Sequence, residues 1–465
     1  MFLFCSIFLA GCATGGSSGS SSVPSPPPSG PAPGSEFLYF ENSDANGAGY
    51  AGGSIGVVSL NPASGTLSNF QDAINDPTDD FGPLNIDPDQ TVIFSSAGSK
   101  YIYAAGTGAV NSIPPSPGAG KSGIFGFTIN GTAGQLTPIS GYGLFDPQIP
   151  FGGPTGMTID GSGKYLYFSD QVAYSNYLRE FTIGAGGVLQ EGPIISITSA
   201  VNWNVQAADP TGKYVYAWYD YANGNIALSA FAINASTGTL TEITGSPFLV
   251  ATGSSSWPFG SNDLQFVGGS ITFSPSGKFL YASVVNYPFI GNSTLVTNNY
   301  IYTFAIAPVT GALGPVPGSP VYLPNVDADQ LVMHPSGKFL YASPQTGVAN
   351  NPGILMFPID ATSGAIPATP ISAGAGNSYY RQVLIDPSGN VLVGRGTTMD
   401  SFTINSSTGL LTAAGSLTAT SGPIPPTPTP APLNFGSSVI AICGSTHNVK
   451  LSIAMHQQLA EEETA

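Results

Sequence analysis

The sequence predicts an all-β chain, folded as a seven-bladed β-propeller of four-stranded antiparallel blades. Three observations indicate this fold: 60 glycines and 41 prolines among 465 residues, a charged fraction of only 8%, and a two-part repeat that recurs along the chain. Abundant Gly and Pro suit many short strands joined by tight turns. Since 42% of the residues are hydrophobic, the chain has enough apolar surface for a large core.

The first half of the repeat is an apolar alternation, a turn of the type Asp-Pro-Ser-Gly-Lys, and an aromatic-rich strand. Its clearest copies are residues 209–216, 274–281 and 334–341. Proline fixes φ in such a turn and glycine supplies a positive φ. Each copy therefore predicts two strands joined by a hairpin turn.

The second half is an alternating strand that ends in a Thr-Gly or Ser-Gly turn, as in residues 231–240 and 402–411. Its turn glycines are Gly65, Gly134, Gly187, Gly238, Gly311, Gly364 and Gly409. These glycines are about 57 residues apart on average, which is near the period of kelch-type blades. Four strands per period and seven periods predict the propeller, whose radial closure protects the sheet edges.

The two ends of the chain predict export and ring closure. We expect a lipoprotein signal peptide, a Gly/Ser/Pro tether, the propeller, a Pro/Thr-rich segment, and a closing strand with its tail, at residues 1–12, 13–34, 35–420, 421–432 and 433–465. The run from Phe2 to Ala10 is too short to span a bilayer but suits a secretory signal. No Lys or Arg precedes it, so the sequence leaves open whether Met1 is the true start.

Leu9-Ala10-Gly11-Cys12 resembles the lipobox of bacterial lipoproteins. We therefore expect lipid on Cys12 and a protein anchored to the cell envelope, at the outer membrane or the periplasmic face. A cleaved signal with an incidental cysteine is the alternative interpretation.

The first blade begins at residues 37–40, which match the second strand of the repeat. Residues 438–443 alternate as a strand and are predicted to supply the missing innermost strand. A rival interpretation takes Leu433-Asn-Phe-Gly436 as the start of a truncated immunoglobulin-like module.

A net charge of −16 argues against binding to phosphate backbones or anionic lipids. We expect a monomer that binds no nucleic acid and reaches the membrane by its lipid anchor only. Five of the seven lysines occupy one turn position of the repeat, which explains their placement without a binding patch: Lys100, Lys164, Lys213, Lys278 and Lys338.

Asp-Pro-Ser-Gly-Lys-Phe-Leu-Tyr followed by Phe-x-Ile-Asn-x-x-Thr-Gly-x-Leu-Thr is similar to the repeat of the lactonase-type seven-bladed propellers, a family that includes 6-phosphogluconolactonases. The resemblance covers residues 37–412. It implies a propeller and, as an activity, lactone hydrolysis. In that family an Arg-His pair often stands six and five residues before the turn proline. Here Arg381 matches and Gln382 replaces the histidine.

Polar residues also stand six or five positions before the turn proline in other repeats: Asn204, Asp329 and Gln330. With Arg381 and Gln382 they predict a polar axial mouth that binds a small molecule, a glycan or a protein. The alternative is a lactone hydrolase in which Arg381 orients the substrate and water is the nucleophile. A structural pair between Arg381 and Asp329 is equally compatible with the sequence.

No zinc or haem motif occurs, so no metal site and no cofactor are predicted. Calcium is left open, because residues 42–47 begin like a calcium loop and six aspartates crowd residues 72–89. Gly53, however, stands where the bidentate Glu of such a loop belongs. His334 lies beside a turn proline and is interpreted as a turn histidine rather than a base.

Overall fold

The computed structural model describes most of the repeat region. The described residues are 36–42, 54–72, 92–95, 101–107, 122–131, 134–139, 153–172, 175–198, 200, 202–252, 264–288, 298–324, 326, 330–343, 353–374, 380, 382–396, 398–418 and 435–442. They form seven antiparallel sheets, which confirms the predicted all-β seven-bladed propeller. No helix in this part of the chain is long and apolar enough to cross a membrane.

The strands are short, as the dense turn signals predict. Those of the first three blades are β1 (Glu36–Asn42), β2 (Ser54–Leu60), β3 (Leu67–Asp72), β4 (Val92–Ser95), β5 (Tyr101–Thr107), β6 (Ser122–Ile129), β7 (Leu136–Pro138), β8 (Gly153–Ile159), β9 (Tyr165–Val172), β10 (Ser175–Ile183) and β11 (Leu189–Ile197). A three-residue 3-10 turn, Ala185–Gly187, lies between the last two of these strands.

The remaining blades continue the same pattern. Their strands are β12 (Asn202–Ala208), β13 (Tyr214–Asp220), β14 (Ile226–Ile233), β15 (Leu240–Glu242), β16 (Phe248–Ala251), β17 (Leu264–Phe273), β18 (Phe279–Pro288), β19 (Asn298–Ile306), β20 (Leu313–Pro315), β21 (Val321–Leu323), β22 (Gln330–Met333), β23 (Phe339–Ser343), β24 (Leu355–Pro358), β25 (Ile371–Ser372), β26 (Gln382–Ile385), β27 (Val391–Arg395), β28 (Thr398–Ile404), β29 (Leu411–Thr418) and β30 (Phe435–Ile442).

Blade 1 contains β1–β3 and β30, and blades 2 to 7 contain β4–β7, β8–β11, β12–β16, β17–β21, β22–β25 and β26–β29. Blades 4 and 5 differ from the prediction because they have five strands. Their outer position is divided between two short strands, which both pair with the third strand of the blade. A serine lies between the two short strands of each of these blades, and its hydroxyl accepts a backbone N–H from the third strand. Ser246 accepts from Ala230 at 3.0 Å, and Ser319 accepts from Thr303 at 2.8 Å.

The ring closes through blade 1. The strand expected at residues 438–443 lies at 435–442 and pairs antiparallel with β1, so that Leu38 faces Ile442 and Phe40 faces Ile440. Phe435, which the rival interpretation assigned to a separate module, pairs with Asn42 in the same ladder. The seven inner strands β30, β4, β8, β12, β17, β22 and β26 contact one another in cyclic order. Both ends of the described chain therefore meet in one sheet.

In the inner strands whose side chains the structure describes, alternate residues pack against opposite neighbours. In β22, Leu331 and Met333 pack with blade 5 residues such as Tyr281, whereas Val332 packs with blade 7 residues such as Val383. This period of two explains why the inner strands read as nearly continuous apolar runs. The core consequently lies between blades, and each blade depends on its neighbours.

A hydrogen bond from a buried tyrosine of the second strand joins six blades to the next blade. The tyrosine hydroxyl donates to the carbonyl of the next blade's outer-turn glycine at 2.7–2.9 Å: Tyr39 to Gly134, Tyr103 to Gly187, Tyr167 to Gly238, Tyr216 to Gly311, Tyr281 to Gly364 and Tyr341 to Gly409. Blade 7 has Val393 at this position, and Ser401 donates to Gly65 instead, at 2.5 Å. We call these contacts the tyrosine latches.

The outer-turn glycines are required by conformation and by space. Gly238 has φ +78° and lies against the ring of Tyr165, where a Cβ would come within 2.2 Å of that ring. A side chain at this position would therefore be strained by the backbone and would collide with the preceding blade.

Both kinds of turn lie on one face of the ring, which we call the turn face. An aspartate begins and caps three of the described hairpin turns, at Asp160, Asp209 and Asp386. Asp209, for example, accepts the backbone N–H groups of Thr211, Lys213 and Tyr214 at 3.0, 2.8 and 2.7 Å. Ile233, at the end of the third strand, donates its N–H to the carbonyl of Lys213 at 2.8 Å. The opposite face, where the inner strands begin, is the loop face.

Candidate functional site

The candidate site lies at the loop-face end of the inner strands. Three of the predicted residues are described there: Asn204 is the third residue of β12, and Gln330 and Gln382 begin β22 and β26. Asp329 and Arg381, which directly precede these glutamines, lie outside the described residues, as does Cys12. The described residues thus stand around one end of the ring but on three different blades.

The three amides differ in exposure. Asn204 is half-buried, whereas Gln330 and Gln382 are only 3% and 4% exposed. The Oδ1 atom of Asn204 accepts a 2.6 Å hydrogen bond from Nε2 of buried Gln206. Because the oxygen of the Asn204 amide accepts this bond, its Nδ2 group is the donor that it can offer to a ligand. The glutamines lie deeper, so Asn204 is the described amide best placed to meet a ligand.

Hydrogen bonds to blade 3 hold Asn204 in place from both sides. The carbonyl of Trp203 accepts from Oγ1 of Thr155 at 3.1 Å, and the N–H of Val205 donates to Oγ of Ser169 at 2.9 Å. Trp203 is fixed further by its indole N–H, which donates to Ser229 at 2.9 Å. The backbone on either side of Asn204 is therefore anchored, and its side chain is preorganised at the opening.

A second anchor stands beside position 381, at the boundary of blades 6 and 7. Tyr380 is 1% exposed, its carbonyl accepts from Ser343 at 2.5 Å, and its hydroxyl donates to Asp400 at 2.8 Å. Thr398 and Ser416 also donate to the Asp400 carboxylate, at 2.8 and 2.5 Å. Buried residues thus precede and follow Arg381 in the chain.

Two buried arginines near this end were missed by the sequence analysis. Arg395 is 2% exposed and stands opposite Gln382 in the register of β26 and β27. Arg179 and Asp170 are fully buried and form an ion pair with Nε–Oδ1 3.0 Å, which Glu191 extends at 3.3 Å. Burial opposes the charge of Arg179, but the hydrogen bonds that its guanidinium donates to the carboxylates of Asp170 and Glu191 outweigh this effect and raise the pKa of Arg179. The sequence offered one signal for these residues: arginine is rare in this chain, which has only three.

His334 lies on the turn face, away from these residues. Its Nδ1 accepts the N–H of Ser336 at 3.0 Å, and its Nε2 lies 2.9 Å from the carbonyl of Gly389 in blade 7. Burial lowers the pKa of His334, so a neutral ring with its proton on Nε2 satisfies both contacts. The ring joins two turns, in agreement with its interpretation as a turn histidine.

Within the part of the chain that the structure describes, no group of three His, Cys, Asp or Glu side chains could hold a metal ion. Of the residues considered for calcium, Asn42 and Asp72 end strands β1 and β3. Residues 43–47, Gly53 and the aspartates from Asp76 to Asp89 lie outside the described residues. Calcium therefore stays an untested expectation.

No protein-family model and no curated protein sequence matches this chain. Solved structures do match it. A putative 6-phosphogluconolactonase from Bacteroides uniformis is 15% identical with a TM-score of 0.54, covering 88% of this chain and 99% of that one. The periplasmic gluconolactonase of Pseudomonas aeruginosa is also 15% identical, with a TM-score of 0.51 and the same coverage. At this identity the likeness shows a shared propeller fold, which is the fold the repeat's resemblance implied.

Proposed function

We propose that this protein is a propeller of the bacterial cell envelope that binds an uncharged, hydroxyl-rich ligand at the loop-face end of its axis. The observation that carries the proposal is Asn204, a half-buried amide fixed by Gln206 and by the anchored residues on either side. Amides both donate and accept hydrogen bonds, which suits sugar hydroxyls. Asp329, Gln330, Arg381 and Gln382 would complete the binding surface.

Titration calorimetry of the full chain in detergent with a panel of sugars and sugar lactones tests this binding. Asn204→Ala should weaken binding by about tenfold, the effect of one good hydrogen bond in a desolvated site. Gln190→Ala is the matched control, because this amide is exposed on the outer strand β11. Equal affinities for parent and Asn204→Ala would contradict the proposal.

Lactone hydrolysis is the second candidate function. It draws on the fold shared with a gluconolactonase and a putative 6-phosphogluconolactonase. In this proposal Arg381 orients the substrate carbonyl or carboxylate, and water is the nucleophile. Anchored Tyr380 and buried Gln382 would hold the backbone next to it. Export and the scarcity of cations argue against a phosphorylated sugar as the substrate.

The test is hydrolysis of a lactone panel by the purified full chain. Turnover that Arg381→Ala abolishes and Arg381→Lys partly retains is the expected result for an enzyme. The absence of turnover above buffer on every lactone would end this candidate, while sugar binding would still be measurable.

Anchoring through Cys12 is the third part of the proposal. The change Cys12→Ala should release the protein from a lipid-anchored state, because one thiol receives the lipid. Cys443→Ala is the matched control and should leave the protein in the membrane fraction. Mass spectrometry that finds an unmodified Cys12 in the mature chain would refute the anchor.

A further inference from the structure

A groove lies on the outer rim of the ring, between blades 4 and 5. Phe248 and Leu249 of β16 line it from blade 4, and Tyr302 and Phe304 of β19 line it from blade 5, with Ser319 beside them. Its volume is about 350 Å³, and small-molecule sites usually have about 300–1,000 Å³. Outer and third strands form this groove, whereas the candidate site lies at the inner strands. The rim groove is therefore separate from the axial opening.

The repeat does not explain the tyrosine in this groove. Tyr302 faces Ala282 in the register of β18 and β19. The equivalent positions of blades 3, 4, 6 and 7 hold Arg179, Ser229, Leu355 and Asp400. Two residues earlier, Tyr300 stands where blade 4 has Ala227. The two half-buried tyrosines are thus a local departure of blade 5 from the repeat.

Aromatic rings form a row along β19. The ring centroids of Tyr300 and Tyr302 lie 6.4 Å apart, and those of Tyr302 and Phe304 lie 6.2 Å apart with planes 9° from parallel. Tyr322 of β21 extends the row, since its ring centroid lies 5.1 Å from that of Tyr300 and the residue is 47% exposed. The row leads from the groove towards solvent, so it offers several aromatic contacts to an extended ligand.

Two hydroxyl groups accompany the aromatic rings. The hydroxyl of Ser319 accepts the N–H of Thr303 at 2.8 Å and keeps its own proton as a donor. Burial, and secondarily Tyr300, raises the pKa of Tyr302, so its hydroxyl stays protonated. The groove therefore combines apolar ring surface with hydrogen-bonding hydroxyls.

The charges around the rim groove favour a neutral ligand. None of the described residues that line it is charged. The carboxylate of Glu242 accepts the hydroxyl of Ser246 at 2.8 Å, one residue before the lining residue Pro247. This carboxylate and the net charge of −16 would repel an anion. A cation would lose hydration without a carboxylate among the described lining residues to replace it.

We propose that the rim groove binds a neutral oligosaccharide, with sugar rings against Tyr302 and its aromatic neighbours. The faces of a sugar ring carry C–H groups, whose slight positive charge matches the negative face of an aromatic ring. The edge of a sugar ring carries hydroxyls that both donate and accept hydrogen bonds, as those of Tyr302 and Ser319 do. A proline-rich peptide also packs on aromatic grooves, but proline has no N–H to donate to these hydroxyls. This second site goes beyond the proposed function and is independent of Asn204.

Hydroxyl-radical footprinting of the full chain, in a detergent without a sugar headgroup, tests the inference. The neutral probes are cellohexaose, maltohexaose and xylohexaose, and oligogalacturonate carries a carboxylate on each ring. We expect at least one neutral probe to protect Leu249 and Tyr302 from oxidation, and oligogalacturonate to protect neither. Ile371 of β25 is the internal control, because this apolar residue of blade 6 is 44% exposed and its oxidation should not change. Equal protection by oligogalacturonate, or no protection by any neutral probe, would overturn the inference.

Variants then measure the contribution of single side chains. The probe concentration that gives half of the protection reports the affinity of the groove alone, read at Leu249 for the Tyr302 variants and at Tyr302 for Leu249→Asp. Tyr302→Ala should weaken binding by about tenfold through the lost ring contact, and Tyr302→Phe by about threefold through the lost hydroxyl. Leu249→Asp should also weaken it. Tyr177→Ala, which changes a half-buried third-strand tyrosine of blade 3, and Ile371→Asp are the matched controls and should bind as the parent does.

The remaining measurements separate this site from its alternatives. Melting curves identify variants that do not fold, and Leu249→Asp keeps the test decisive if Tyr302→Ala is one of them, because Leu249 is 56% exposed. Asn204→Ala should leave the protection of Leu249 unchanged, so a failure of the axial site and a failure of the rim groove are distinguishable. Unchanged affinity in Tyr302→Ala and Leu249→Asp would contradict the inference. Protection by a synthetic peptide of residues 423–432, without protection by any sugar, would overturn it in favour of a proline-rich ligand.

Discussion

A residue that differs from the repeat at its position can have a property that its counterparts in the other blades lack. Glu36 stands where five other blades have the turn lysine. Burial, and secondarily the negative charge of Asp386, raises the pKa of the Glu36 carboxyl to about 7. One of its oxygens is buried without a hydrogen-bond partner. The carboxyl group of Glu36, at the boundary of blades 7 and 1, therefore favours its neutral, protonated form.

We predict that the protein loses stability as the pH rises through about 7. The folded-state pKa of Glu36 lies above the ordinary value of 4.5, so its contribution is fully present below the unfolded-state pKa and is lost above the folded-state pKa. Melting temperatures measured from pH 5 to 8 should fall less steeply in Glu36→Gln. Glu462→Gln in the C-terminal tail is the control, and identical slopes in parent and Glu36→Gln would refute the prediction.

The tyrosine latches make a second prediction at the residue scale. Tyr216→Phe removes the hydroxyl that satisfies the buried carbonyl of Gly311, and an unpaired buried acceptor costs about 1–3 kcal/mol. Denaturant unfolding should show this loss. Tyr322→Phe is the control, since Tyr322 is 47% exposed and its change should stay within about 0.5 kcal/mol. Equal losses in the two variants would contradict the latch.

Among the elements, β30 is the strand that closes the ring. It pairs with β1 and contacts the inner strands of both neighbouring blades, β26 and β4. Without it, the ladder side of β1 at Leu38 and Phe40 would be an open edge, and open edges promote association between chains.

Deleting residues 433–465 should therefore lower the melting temperature sharply and promote association. Deleting residues 444–465, which leaves the whole of β30, is the matched control and should leave both properties near those of the parent. Melting curves and light scattering make the comparison. A monomeric protein with an unchanged melting curve after the longer deletion would contradict the closing role.

On the scale of the whole molecule, the repeat made the ring predictable because its turn residues recur in sequence. The divided outer strands of blades 4 and 5 were not predictable, since each depends on a serine, Ser246 or Ser319, that caps a third-strand N–H. The latches were missed because the tyrosine and its glycine are 68–95 residues apart. Sequence spacing does not reveal a contact between blades.

The candidate site was less predictable than the fold. Counting back from the turn proline placed Gln330 and Gln382 at the start of their strands, but their burial depends on packing between blades. Asn204 was found by the same count, whereas its partner Gln206 was not, because β12 has a bulge between Val205 and Ala207 that alters the alternation. The buried pair of Arg179 and Asp170 joins two strands and has no signature in the repeat.

The tyrosine latches are directional, since each blade supplies a hydroxyl to the next one and a glycine carbonyl to the one before. A gene duplication that copies one whole repeat would carry both partners, so every donor in the longer ring would still find an acceptor. A copy of half a repeat would carry only one of the two partners and would leave one hydroxyl or one carbonyl unpaired. The fold thus permits growth in units of one blade, which is the step by which such rings could have multiplied from an ancestral repeat.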